Sequence, residues 1–152
     1  MYTLRKFNDP ILKQKCVPLT VGDDLSFLRD MKRMCVENRG AGLAAPQIGL
    51  LHRAFVMFPG RDGKGMCVSL VNPVVVETGD ATLWSEEACL SYPGVKVLVQ
   101  RHRDLVVEYY DWRWRKQRGR FSCWEARIVQ HEMDHLNGVC VVGDEWRRLS
   151  GE

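Results

Sequence analysis

The chain has 152 residues, of which 45% are apolar and 27% charged. These are the proportions of an ordinary globular protein, so one domain spanning 1–152 is expected and fibrous or disordered classes are disfavoured. Lys+Arg 22 against Asp+Glu 19 leaves a net charge of +3, too mild a surplus to imply nucleic acid by itself. No apolar stretch approaches the ~20 residues of a membrane-spanning helix, and no apolar signal core follows the first six residues, so a cytoplasmic chain is expected.

In chain order, Leu25, Leu28, Met31 and Cys35 recur at spacings of three and four, which predicts an amphipathic helix over 24–39. Asp23 or Asp24 can cap its start, and Gly40 suits the position past its end. From 53 to about 114 the sequence reads as strands: 53–58, 68–78, 81–91, 95–101 and 105–114 are rich in Val, Leu and aromatics. Gly60, Gly65, Gly79 and Gly94 punctuate them. Ser122-Cys123-Trp124-Glu125 fits a capping box opening a second helix, with Trp124, Ile128, His131 and His135 on one face and Gly138 at its end. The apolar run 139–142 closes the readable pattern. The order helix, strands, helix predicts an α+β fold with mainly antiparallel sheets, the second helix packing across them.

That second helix carries Gln130-His131-Glu132-Met133-Asp134-His135, which contains H-E-x-x-H. Four residues turn through about 400°, so the two histidines share a face roughly 6 Å apart along the axis and can grip one metal ion. Glu132 stands beside that face, where a general base belongs. A catalytic metal needs a third protein ligand and an open position. The extended motif that would place a third histidine downstream is absent, since Val141 stands there. His52 and His102 read as surface residues. Cys89, in Glu86-Glu87-Ala88-Cys89-Leu90-Ser91, is the better third ligand, because a thiolate satisfies a divalent cation and is kept deprotonated by it. The other five cysteines, Cys16, Cys35, Cys67, Cys123 and Cys140, read as small buried hydrophobes. Gly40-Ala41-Gly42-Leu43-Ala44-Ala45-Pro46-Gln47 lacks the Lys-Ser/Thr of a phosphate-binding loop. Its small residues let backbone approach a ligand closely, with Gln47 as the one polar side chain.

Three motifs together, G-x-G-L-A-A-x-Q at 40–47, E-x-C-L-S at 87–91 and Q-H-E-x-D-H at 130–135, resemble those of the peptide deformylase family, in that family's order. The resemblance covers about 25–138, including Asn72-Pro73. It implies sheets around a central H-E-x-x-H helix, and removal of the formyl group from N-formylmethionine on nascent chains, releasing formate. It implies Cys89, His131 and His135 as metal ligands, Glu132 as general acid/base, and the Gln47 amide with the Leu90 N–H as oxyanion donors. Backbone around Gly42 and Ala88 would pair with the substrate peptide as an added strand, and Ser91 and Gln130 would fix the orientation of the metal ligands. Fe²⁺ is the metal the family implies, with Zn²⁺, Ni²⁺ or Co²⁺ as substitutes.

Ala88 stands where the family has Gly, and the short stretch after the metal helix resembles compact, phage-like members that lack most of a C-terminal ribosome-docking helix. At strand period, the basic stretch 112–120 would place Trp112 and Trp114 on one face and Arg113 and Arg115 on the other. It reads first as a hairpin and second as a weak contact to ribosomal RNA. Two rivals remain at this stage: a metallopeptidase, and a non-catalytic metal or RNA-binding module. No membrane or DNA partner is expected, and the location implied is bacterial cytoplasm, an infected host cell or an organelle.

Overall fold

The computed structural model describes residues 1–60 and 66–151; Gly65 lies outside them. Helix α1 (Phe27–Glu37) is followed by strands β1 (Gly42–Ala44) and β2 (Ala54–Met57). Next come β3 (Val68–Thr78), β4 (Thr82–Cys89), β5 (Tyr92–His102), β6 (Asp104–Tyr110) and β7 (Lys116–Ser122), then helices α2 (Trp124–Leu136) and α3 (Val141–Ser150). Five strands form a sheet of order β1-β2-β3-β6-β7, and β4 with β5 forms a separate hairpin sheet. Every pairing between these strands is antiparallel, as the sequence predicts.

Strand β2, held between β1 and β3, shows how the layers assemble. All four of its residues are buried, because alternate side chains serve opposite faces. Phe55 and Met57 join Leu70, Leu105, Val107, Ala126, Ile128, Val129 and Leu136 in a core beneath α2. Ala54 and Val56 join Phe27, Leu28, Met31, Cys35 and Val71 in a core beneath α1. A strand of continuous apolar residues between two helices is stabilised on both sides, each fully buried Val or Phe contributing ~1.5–3 kcal/mol. A third core joins the β4–β5 hairpin to α3 through Cys89, Tyr92, Val97, Val99, Cys140 and Val142. Helix α2 touches β1, β2 and β7 of the larger sheet and β5 of the hairpin, so its histidines face the seam between the sheets.

Several local expectations are corrected. Helix α1 begins at Phe27 behind Ser26; the Asp23 and Asp24 carboxylates accept from Thr20 N and Ser26 N instead of capping it. Arg39, with φ 56°, takes the left-handed position past its end, and Gly40 serves a different need. A Cβ there would stand 2.7 Å from Leu90 Cδ1 and 3.3 Å from Cys35 Sγ. The capping box at 122–125 does not form: Ser122 ends β7, and Cys123 precedes α2 with φ 54° and no side-chain cap. Strand β6 stops at Tyr110, so Trp112 and Trp114 share no strand face. Trp114, at φ 61°, sits in the turn, its Nε1 donating to Asp23 O at 3.0 Å. The run 139–142 does not end the structure, since α3 starts within it. Of the cysteines read as buried, Cys123 is exposed and Cys67 half-buried, and all six are free thiols. Among the described residues no helix is long and apolar enough to cross a membrane.

Candidate active site

One cavity of about 470 Å³ opens between β1, β4 and α2, and Gly42, Gln47, Ala88, Cys89, Leu90, His131 and Glu132 all line it. Cys89 ends β4 and His131 and His135 lie one turn apart on α2, so the two sheets and the helix meet at these residues. Their ligating atoms lie within 4.8 Å of one another, with Cys89 Sγ 3.3 Å from His135 Nε2. A soft sulfur and two imidazoles converging at that spacing fit one transition-metal cation, with protein ligands at three corners. A closed structural site needs a fourth, and this cluster contains three. Burial, reinforced by the positive His131 and Arg101, holds the pKa of His135 well below its ordinary value. The ring is therefore neutral and ready to bind through Nε2. The Cys140 thiol and burial push Cys89 well above the ordinary thiol range. Ion binding must therefore displace a proton from the sulfur.

A buried carboxylate fixes the other imidazole. Glu87 Oε1 accepts from His131 Nδ1 at 2.9 Å, which leaves Nε2 for the cation. Glu87 in turn accepts from Arg101 Nε and Nη2, each at 2.9 Å, and from Arg127 Nη1 at 2.6 Å. Arg101 Nη1 reaches Asp134 Oδ2 at 2.6 Å, and Arg127 also donates to the carbonyls of Leu83 and Val99. Burial alone would raise the pKa of Glu87, but Arg101 and His131 outweigh it and hold the carboxylate far below its usual range. The network ties hairpin to helix. Sequence reasoning missed it, although Glu87 stands two residues before Cys89 on the same strand face and Arg127 four before His131 on the same helix face.

Glu132 is 4% exposed, and its Oε2 has no hydrogen-bond partner among the described residues. Burial pushes its pKa up to about 7. Gly42 permits this placement, since a Cβ there would stand 3.0 Å from Glu132 Oε1. On the opposite flank Gln47 is 1% exposed and pinned at both ends of its amide. Oε1 accepts from Ala44 N at 2.9 Å, and Nε2 donates to Ser91 Oγ at 3.0 Å while facing Cys89 Sγ at 3.6 Å. Ser91 Oγ donates to Arg5 O at 2.7 Å, and Arg5 N donates to Gln47 O at 2.7 Å. The N-terminal segment thus braces the amide, a contribution no motif signals. The Ser91 hydroxyl holds Gln47, whereas the sequence reading has it orient the metal ligands. Gln130 does not orient the histidines: its amide accepts from His102 N and donates to His102 O and Ala126 O, tying α2 to the end of β5. His102 is exposed at that end, and His52 stacks 5.1 Å from Phe27; neither joins the cluster.

Comparison with known proteins decides the family. The Polypeptide deformylase family profile matches residues 1–148. The chain belongs to that family. A peptide deformylase of Thermotoga sp. (strain RQ2) is 37% identical over 146 residues, covering 93% of this chain and 85% of that one. The crystal structure of the Thermotoga maritima peptide deformylase superposes with a TM-score of 0.87 at 35% identity, covering 93% of this chain and 95% of that one. A class I type b peptide deformylase from Acinetobacter baumannii, solved with Met-Ala-Ser bound, has a TM-score of 0.85 at 30% identity, covering 93% and 96%. Like its relatives, this chain is a metal-dependent deformylase.

Proposed function

We propose that the described residues act as one catalytic unit that removes the formyl group from N-formylmethionyl peptides at the start of nascent chains. The reading rests on one observation above all: a Cys-His-His donor set converges beside a buried Glu132 whose Oε2 has no hydrogen-bond partner among the described residues. Cys89, His131 and His135 would hold the ion, Fe²⁺ by family resemblance, with Zn²⁺, Ni²⁺ or Co²⁺ able to occupy the same donors. When bound, such an ion supplies Lewis acidity and lowers the pKa of water from ~15.7 toward ~7.

The chain's own groups supply the rest. Glu132, with a pKa near neutrality until a cation pulls it down, takes the proton from the attacking water. It then delivers that proton to the amide nitrogen as the C–N bond breaks, a service worth ~10²–10⁴ in rate. The Gln47 Nε2–H, held by Ser91, and the Leu90 N–H would receive the charge that develops on the formyl oxygen. The peptide would lie between Gly42 and Ala88. β1 is an edge strand of its sheet, and an open edge pairs an extended peptide through its main chain. An Acinetobacter relative is solved with a Met-Ala-Ser tripeptide bound, which supports a peptide as the substrate class. Ala88 is exposed where it lines the cavity, so its methyl group narrows access without removing a main-chain partner.

Formate release from a formyl-Met-Ala-Ser peptide by metal-loaded protein tests the reading. Glu132→Gln is expected to retain the ion and the fold while losing ~10²–10⁴ of turnover. Retained turnover, or equal cleavage of an unformylated peptide by the parent protein, would overturn it.

A further inference from the structure

The chemistry above makes no use of Cys140, although it shares a buried cluster with the proposed metal-ligating cysteine. Cys140 immediately precedes α3, is 8% exposed, and packs with Cys89, Tyr92, Val97, Val99 and Val142. The two side chains belong to one buried cluster, close enough for each thiol to shift the other's titration. Cys140 does not belong to the three-donor cluster, so it neighbours the ligand without completing the coordination set. Cys16 packs in the core beneath α2, and Cys35 and Cys67 pack beneath α1. Cys140 is therefore the cysteine placed to react with Cys89. Cys89 lines the cavity, so a small oxidant entering there reaches its sulfur first and finds Cys140 next to it.

We propose that Cys89 and Cys140 form an oxidative modification site, in which a hydroperoxide joins them as an intrachain disulfide and withdraws Cys89 from the metal. The Cys89 thiolate attacks one peroxide oxygen. The O–O bond breaks, the sulfur becomes a sulfenic acid, and hydroxide leaves with the displaced proton as water. The Cys140 sulfur then attacks the Cys89 sulfur, the S–O bond breaks and a second water departs. The two sulfurs together lose two electrons, and the peroxide gains them. The S–S bond of ~2.05 Å holds Cys89 to a fixed dihedral geometry, and a sulfur so bonded has no negative charge to offer a cation. The pair also stops oxidation at a stage that thiols reverse, short of the irreversible sulfinic acid. Bond formation requires only the two sulfurs. Release of the ion rests in addition on Cys89 being a ligand, as proposed above.

Treating metal-loaded protein with a slight excess of hydrogen peroxide, then alkylating and digesting it, tests both parts. The expected products are a cross-linked peptide pair containing Cys89 and Cys140, a loss of two hydrogens in intact mass, and free ion captured by a chromogenic chelator. Dithiothreitol followed by fresh metal should restore turnover. Cys140→Ser and Cys140→Val should each still bind one ion and turn over substrate before oxidation. After peroxide, however, both should carry oxygen on Cys89 and lose the dithiothreitol-reversible fraction. If Cys140 only fills the core, parent and variants will oxidise and recover alike, and the proposal fails. It also fails if Cys89 is cross-linked to a different cysteine. A Cys89–Cys140 cross-link with the ion still bound would overturn the consequence for the metal, and with it the assignment of Cys89 as ligand.

Discussion

The two flanks of the cavity are built on opposite electrostatic principles. On the hairpin and α2 side, Glu87 is buried among Arg101, Arg127 and His131, and Asp134 takes a further bond from Arg101. On the β1 side Gln47 is fixed by neutral partners, Ala44 N and Ser91 Oγ. A flank that must orient a cation's ligand gains from a carboxylate that sharpens imidazole basicity. A flank that must meet a transient oxyanion gains from fixed dipoles that need not reorganise. On the roles proposed above, the charged flank would carry fold and metal affinity together, and the neutral flank chiefly rate.

The largest expected effect follows from breaking the charged flank. Glu87→Ala leaves Arg101 and Arg127 buried without their shared carboxylate, and truncating one partner of a buried ion pair costs about 3–5 kcal/mol. Chemical denaturation should show that loss, together with metal affinity weakened by about 10–100-fold; an unchanged midpoint would mean that the network only decorates the fold.

Gln47→Ala comes next in size. It should cost roughly 10²–10³ in kcat with metal content unchanged, and a loss confined to KM would remove Gln47 from the chemistry. Acid should separate the flanks more gently. Because the Glu87 pKa is depressed in the folded protein, its contribution is fully present above the unfolded carboxyl value of about 4.3. That contribution declines as pH falls below this value toward the lower folded one. Melting temperature followed through that window should fall more steeply for the parent protein than for Glu87→Gln. The Gln47→Ala variant should follow the parent's slope. Ala88→Gly is the smallest expected change. It widens access at the exposed rim of the cavity, so KM for bulky formyl peptides should fall by a few-fold at constant kcat.

The same contrast explains what could be read in advance. His131, Glu132 and His135 were legible because helical spacing alone forces them together, and Cys89 because a thiolate is a fitting third donor beside two imidazoles. Strands β3 to β6 were legible from β-branched and aromatic runs. Glu87, Arg101 and Arg127 were obscured because a charged residue on a strand or helix reads as solvated until a partner some distance along the chain is known. The 14 residues from Glu87 to Arg101 and the 40 to Arg127 are closed only by the fold. The capping box at 122–125 failed because Ser122 is held in β7, opposite Asp104, so tertiary pairing overrode a local preference. Strand β7 was legible only as an arm of the hairpin read over 112–120, because Lys116, Arg118 and Arg120 face solvent and leave little apolar alternation to read.

X-ray absorption at the metal edge of loaded protein tests the central assignment most directly. The account predicts one ion per chain, with one sulfur at ~2.3 Å and two imidazole nitrogens at ~2.0–2.1 Å for zinc, and a light oxygen neighbour in the remaining position. A shell without sulfur, or one with two sulfurs because Cys140 has closed the site, would contradict it.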